Sequence, residues 1–183
     1  MLYTTIGQHE YPHDIVSQLI PASLKNGSCS QANGFRIEPR EGYSGYEGKL
    51  CWETALGLRL IAQLSAQEDT VAIASLLSIG NALVVVQMQG KQGCKEVLCK
   101  LRWPSLFVEA ALAIAHHNPH LDEVRINAAH SQYWYEMPVW LPEGRTIEEH
   151  KRGMRQLYDG TARRMHFKWC GQREAYYRTV RAG

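Results

Sequence analysis

The chain has 183 residues, of which 45% are hydrophobic and 21% charged, and its formal net charge is +2. This balance is typical of a globular protein and excludes an intrinsically disordered one. No apolar run approaches the length of about 18 residues that spans a bilayer, and the first residues lack the pattern of a secretory signal. We therefore expect a single α/β domain over residues 1–183, located in the cytoplasm and without a membrane partner.

The cysteines argue against a disulfide framework. Their number is odd, their spacings are irregular and no Cys-x-x-Cys pair occurs, which also argues against a zinc knuckle. We interpret all five as reduced structural thiols: Cys29, Cys51, Cys94, Cys99 and Cys170.

The first quarter of the chain gives weak structural signals. Residues 1–6 have the composition of a strand, and residues 12–24 fit a short helix. Residues 26–48 are rich in Gly, Asn and Ser and predict a loop with a short strand at 35–38. Because neither GxGxxG nor GxxxxGK[ST] is present, a plain surface loop is favoured over a phosphate-binding one.

Two apolar patterns in the next part predict helices. Residues 51–69 place one stripe of apolar side chains at helical spacing: Trp52, Leu56, Leu60, Ile61 and Leu64. Residues 69–80 predict a second, more apolar helix that ends at Gly80.

A succession of strand, turn, strand, helix and strand follows. The predicted elements are a strand at 81–89, a turn at 90–93, a strand at 95–103, a buried helix at 104–117 and a strand at 122–127. This order predicts the α/β (α+β) class, with a small mixed sheet and the helix packed across it.

The final part of the chain combines an aromatic segment with predicted helices. Residues 131–142 alternate aromatic and polar side chains, as an edge strand does. A Thr146–Glu149 capping box begins a helix over 146–160, and a further helix is predicted over 159–171, with Asp159 as its N-cap.

Charge is distributed unevenly along the chain. Residues 144–183 hold ten Lys or Arg and four Asp or Glu, whereas residues 1–143 hold ten and fourteen. This asymmetry predicts an anionic partner for the basic, aromatic C-terminal segment, with nucleic acid first among the candidates. Alternatively, these cations pair with acidic residues from the first part of the same fold.

Four C-terminal cations are the candidate phosphate contacts. In a helix that begins at Asp159, Arg163 and Arg164 would lie in the first turn, against the preference of the helix dipole and beside its free amides. Lys168 and Arg173 follow, and Trp169 offers a stacking face for a base. The alternative is that the aromatic side chains fill the core while the arginines face water.

Residues 158–180, YDGTARRMHFKWCGQREAYYRTV, resemble the box of ParB/sulfiredoxin-like proteins. In that box a G-x-x-R turn opens a helix, and a closing strand follows. The matching positions are Gly160, Arg163 with Arg164 beside it, Lys168, Gly171 and a strand near 176–180. The resemblance implies that the turn contacts nucleotide phosphate. Plasmid fertility-inhibition (oncogenic-suppression) proteins in this superfamily imply ATPase and DNase activity, with ATP and Mg²⁺ as the cofactor.

Glu109 and His117 are the candidate acid–base residues. Glu109 is the only charge inside the apolar helix, where burial would raise its pKa. The favoured alternative is that it marks the helix's single solvent-facing line. His117 belongs to a cluster with His116 and His120, and imidazole titrates near neutral pH. Because Pro119 interrupts the helical spacing, we expect no metal site there. Glu53 is explained by a helix dipole.

The aromatic segment supports a second hypothesis. Strand alternation would send Tyr133 and Tyr135 to one face and Trp134 to the other, so that an exposed face would bind a protein or stack on a base. The sequence thus leaves two functions open. The first is binding of nucleic acid or nucleotide phosphate, extended by the resemblance to a nuclease or ATPase. The second is a non-enzymatic inhibitor or accessory protein that acts through protein contacts, in which Trp134 and Tyr135 bind the partner.

Overall fold

The computed structural model describes residues 35–41, 45–47, 50–54, 56–64, 67–136, 141 and 144–180. The elements expected over residues 1–24 lie outside this part of the chain, as do Cys29 and part of the predicted 131–142 strand. The strands are β1 (Phe35–Glu41), β2 (Gly45–Glu47), β3 (Leu50–Trp52), β4 (Leu56–Leu64), β5 (Gln67–Ile79), β6 (Ala82–Gly90), β7 (Glu123–Asn127), β8 (Lys168–Cys170) and β9 (Ala175–Thr179). The helices are α1 (Lys95–Cys99), α2 (Trp103–His117), α3 (Ile147–Leu157) and α4 (Asp159–Arg164).

Seven strands form one mixed sheet in the order β1-β4-β5-β6-β7-β9-β8, and β2 pairs with β3 in a separate hairpin. Every neighbouring pair in the large sheet is antiparallel except β6 and β7, which run parallel. The expected α/β class with a mixed sheet is therefore confirmed.

The two helices predicted over 51–69 and 69–80 are wrong, because these residues form β3, β4 and β5. In β5 the six residues Val71–Leu76 are all buried, since the strand lies between β4 and β6 and is covered on both faces. A continuous apolar run of this kind fits a central strand as well as a buried helix.

The crossover between the parallel strands follows the prediction in part. The strand predicted over 81–89 is confirmed as β6, and the helix and strand that follow are confirmed as α2 and β7. The strand predicted over 95–103 is wrong: Lys95–Cys99 forms the short helix α1, and turns lead from it to α2. α2 buries Phe107, Val108 and Ala111 completely, and it contacts both β6 and β7.

The C-terminal segment is helical only as far as Arg164. The Thr146–Glu149 capping box is confirmed, with the Glu149 amide 3.2 Å from the Thr146 hydroxyl and the Thr146 amide 3.0 Å from the Glu149 carboxylate. The helix predicted over 159–171 ends after six residues, and β8 and β9 form an antiparallel hairpin after it. His166 has a positive φ of 59°, so the backbone leaves the helix at that residue.

Candidate functional site

The parallel strands β6 and β7 separate at their carboxyl ends. Their pairing runs from Ala82 opposite Glu123 to Val85 opposite Ile126. β6 then continues to Gly90, still paired with β5 on its other side. Among the described strands, none pairs with this second half of β6 on the β7 side. The carboxyl ends of neighbouring parallel strands are where open α/β sheets bind their ligands.

The phenol of Tyr158 fills part of this opening. Its hydroxyl accepts a hydrogen bond from the Met88 amide at 2.8 Å and donates one to the Met88 carbonyl at 3.3 Å. Tyr158 thus satisfies the backbone groups that a neighbouring strand would otherwise bind. Burial holds the pKa of Tyr158 far above its usual range, and the negative charge of Glu53 adds to this effect. The hydroxyl is therefore protonated at neutral pH.

Glu53 lies close to this opening, and hydrogen bonds hold both its backbone amide and its side chain. Its amide donates to the Ser75 hydroxyl at 3.1 Å and to the Gln87 side-chain oxygen at 3.3 Å. Its carboxylate accepts a hydrogen bond from the Trp134 indole at 3.0 Å. Loss of hydration raises the pKa of Glu53, and the indole bond opposes that rise only in part.

The sequence did not identify Glu53 as a site residue. We explained it by the dipole of a helix, but it follows β3, where no helix exists. The signal that was available was weak: a carboxylate next to Trp52 and within an otherwise apolar segment.

A second feature that sequence reasoning missed is the basic segment that follows β6. Residues 90–102, GKQGCKEVLCKLR, carry four cations and one carboxylate. Lys91 forms an ion pair with Asp69, whereas Lys95, Lys100 and Arg102 are exposed and have no acidic partner in the described chain. Gly93 has a φ of 91°, which a glycine adopts without strain. The expected turn at 90–93 is present, and it follows the carboxyl end of β6, beyond the part of this strand that pairs with β7.

The two acid–base candidates from the sequence, Glu109 and His117, line one cleft. The cleft has a volume of about 540 Å³ and lies between α2 on one side and Met165 with the end of β9 on the other. Arg178 lines it as well. Glu109 is half-buried, and loss of hydration raises its pKa, as we expected from its position.

The four C-terminal cations lie on different elements and have different surroundings. Arg163 and Arg164 lie in the last turn of α4, where the dipole favours them, so the argument that they oppose the dipole is wrong. Arg164 donates to the Thr161 hydroxyl at 2.9 Å. Arg173 forms an ion pair with Glu123 at 2.9 Å, as the alternative interpretation predicted. Lys168 is exposed opposite Tyr177 and therefore points to the other face of the sheet from Arg178.

Asp159 was predicted to be an N-cap, but Tyr158 holds that position and no side chain caps the helix. The Asp159 carboxylate instead accepts a hydrogen bond from the Ala129 amide at 2.9 Å, which fixes the start of α4 to the chain after β7.

The aromatic residues are arranged differently from the predicted edge strand. Residues 129–131 and 133–135 form two short 3-10 turns. Tyr135 is buried and accepts a hydrogen bond from Arg155, so it offers no face to a partner. Trp134 is half-buried, and its indole donates a hydrogen bond to the Glu53 carboxylate. Among the described residues, the large aromatic side chains that are exposed are Tyr133 and Trp169, at 67% and 48% exposure.

The described residues assemble no metal site. They contain no group of three His, Cys, Asp or Glu side chains placed to hold an ion, and this applies to His116, His117 and His120. No helix in the described part of the chain is long and apolar enough to cross a membrane.

Comparisons of the chain with protein-family models, with curated proteins and with solved structures found no match. The ParB/sulfiredoxin-like resemblance therefore stays a prediction.

Proposed function

We propose that this protein binds a small ligand of the nucleotide type, with its phosphate groups, in the opening between β6 and β7. The observation that carries the proposal is the separation of the only described parallel strand pair at its carboxyl ends, beside Glu53 and Tyr158. Open sheets bind ligands at such points, because neighbouring strands leave a crevice there that loops of the fold can line.

The charge of the surrounding segment supports a phosphate-bearing ligand. Lys95, Lys100 and Arg102 follow the Gly90–Gly93 turn and have no acidic partner among the described residues. Cations beside a glycine turn are suited to phosphate, since backbone amides and side chains reach the same oxygens. We therefore favour this segment as the phosphate contact over the four cations expected from the sequence: Arg163, Arg164, Lys168 and Arg173.

Glu53 is the acid–base residue that this proposal assigns to the opening. A carboxyl group with a raised pKa exchanges a proton closer to neutral pH than an ordinary glutamate does. Tyr158 has a positioning role, because its hydroxyl already forms hydrogen bonds with both the amide and the carbonyl of Met88.

The proposal is tested by fluorescence anisotropy with a fluorescent ATP analogue, and in parallel with a short single-stranded DNA. We expect the nucleotide to bind, with an affinity that falls as salt rises. The triple variant Lys95→Ala/Lys100→Ala/Arg102→Ala should weaken binding by about tenfold or more, because it removes charge-assisted contacts.

A matched control removes three other exposed cations, in the variant Arg163→Ala/Arg164→Ala/Lys168→Ala. This control should leave nucleotide affinity within about twofold, since these residues lie after α3 and outside the basic segment. If the control variant loses binding and the first variant retains it, the C-terminal segment is the phosphate site and the opening is not.

A second candidate function is protein binding without catalysis, and the exposure of Tyr133 and Trp169 favours it. Exposed aromatic side chains are enriched among the residues that dominate binding energy at protein interfaces. Under this alternative, the chain hydrolyses neither ATP nor DNA, and Tyr133→Ala abolishes partner binding while the triple cation variants do not.

A further inference from the structure

The cleft that holds Glu109 and Arg178 is distinct from the opening between β6 and β7. It is lined by the second half of α2, by Met165 after α4 and by the end of β9. The end of β9 pairs with the start of β7, since Thr179 lies opposite Glu123. The cleft therefore lies toward the amino end of β7, whereas the opening lies at its carboxyl end.

Glu109 and Arg178 line this cleft without contacting each other. No ion pair joins them within 4.0 Å, although both are described residues. Glu109 has no hydrogen-bond partner in the described chain, and its half-buried position raises its pKa. Arg178 donates one bond, from Nη1 to the Met165 carbonyl at 3.1 Å. Its other guanidinium donors remain available, so an acceptor group and a donor group face the same space.

His117 adds a second acceptor to the cleft. Its Nδ1 lies 2.9 Å from the Ala113 carbonyl, and a carbonyl oxygen only accepts, so Nδ1 carries the proton. In the neutral ring, Nε2 is then left as an acceptor. The rest of the lining consists of the polar residues His116 and Thr179 and of four apolar side chains: Leu112, Ala113, Met165 and Val180.

We propose that this cleft binds a free amino acid with an aliphatic side chain. The ligand carboxylate would bind the Arg178 guanidinium, its ammonium group would bind Glu109 and the Nε2 atom of His117, and its side chain would pack on Leu112 and Met165. A zwitterion satisfies both charged groups at once, whereas a simple anion leaves Glu109 unpaired and a simple amine leaves Arg178 unpaired. The cleft volume of about 540 Å³ lies within the usual range for small-molecule sites.

Isothermal titration calorimetry of the full chain at neutral pH, with leucine, isoleucine and methionine as ligands, tests this inference. The ligand series includes 4-methylpentanoic acid, which lacks the ammonium group of leucine, and 3-methylbutylamine, which lacks its carboxylate. We expect saturable binding of at least one of the three amino acids. Each truncated analogue of leucine should bind about tenfold more weakly or worse, because a charged site group is left unpaired. Absence of saturable binding by all three, or equal affinity for an analogue, overturns the proposal.

Two variants that each remove one charge locate the contacts. Arg178→Gln should weaken leucine binding by about tenfold or more and bring leucine and 3-methylbutylamine to similar affinity. Glu109→Gln should also weaken leucine binding by about tenfold or more, and it should bring leucine and 4-methylpentanoic acid to similar affinity. The controls are Lys168→Gln and Glu174→Gln, which change exposed charges outside the cleft and should leave binding unchanged. If the controls and the cleft variants have equal effects, the assignment is wrong. The unmodified chain with the analogue series decides the question even if a variant does not fold.

Discussion

The phenol of Tyr158 takes the place that a neighbouring strand would have beside Met88. Tyr158→Phe keeps the ring but removes the hydroxyl, which leaves the buried Met88 amide without its partner. We expect the free energy of unfolding to fall by about 1–3 kcal/mol, the cost of an unsatisfied buried donor. Urea denaturation measures this change. Tyr133→Phe is the control, because Tyr133 is 67% exposed, and it should change stability by less than about 0.5 kcal/mol.

Glu53 makes the stability of the protein depend on pH in a direction opposite to that of a salt-bridged carboxylate. Its folded pKa lies above the ordinary value of 4.5, so the folded state holds this proton more tightly than the unfolded chain does. The contribution of Glu53 is therefore favourable below its raised pKa and is lost as pH rises from 4.5 through that value.

Glu53→Gln removes this pH dependence and keeps an oxygen acceptor for the Trp134 indole. We expect the variant to gain stability relative to the natural chain as pH rises above 4.5, with little difference at lower pH. Chemical denaturation at a series of pH values measures the difference. A gain that is equally large at acid pH would show that ionisation of Glu53 is not its cause.

At the scale of elements, the two helices that the sequence predicted correctly carry local signals for where a helix begins. α2 is apolar over four turns and begins with a proline, and α3 has a capping box, so local chemistry alone defines them. The wrong helix over 51–69 rested on Trp52, Leu56, Leu60 and Leu64. Their spacing of four is close to one helical turn and is also twice the strand repeat, so it fits both structures. β4 also contains a bulge at Leu60 and Ile61, which disturbs simple alternation and hides the strand pattern.

Two glycines in different elements should respond oppositely to substitution by alanine. In β4, a Cβ at Gly57 would lie 2.3 Å from the ring of buried Trp52 and 2.6 Å from the Ala74 carbonyl. In α3, a Cβ at Gly153 would meet only the end of the Arg145 side chain, at 2.6 Å, and this flexible group can move. We expect Gly57→Ala to destabilise the protein by about 1–3 kcal/mol or more, and Gly153→Ala to stabilise it by up to about 1 kcal/mol. Thermal melts followed by circular dichroism compare the two, and a Gly57→Ala variant as stable as the natural chain would contradict the tight packing of Trp52.

At the scale of the whole molecule, the functional groups come from distant parts of the chain. Glu53 and Trp134 are 81 residues apart, and Met88 and Tyr158 are 70 residues apart. Local patterns predicted α2 and β7 but carried no information on which residues meet where β6 and β7 separate. The cleft was partly predictable, because Glu109 and His117 both belong to α2, whereas Arg178 reaches them only through the pairing of β9 with β7.

Hydrogen exchange should separate the centre of the sheet from its described edge. β5 and β6 lie between paired strands and under buried side chains, whereas β8 is a short strand with one described neighbour. We expect the amides of β5 and of Ala82–Val85 to exchange slowest and those of β8 to exchange fastest among the described strands, because local opening of an edge needs little free energy.

The amide of Met88 is the informative exception, since its protection depends on the Tyr158 hydroxyl and not on a strand. In Tyr158→Phe this amide should lose protection while β5 retains it, and exchange measured by NMR resolves the two. If Met88 stays as protected in the variant as in the natural chain, the Tyr158 hydroxyl is not what protects this amide.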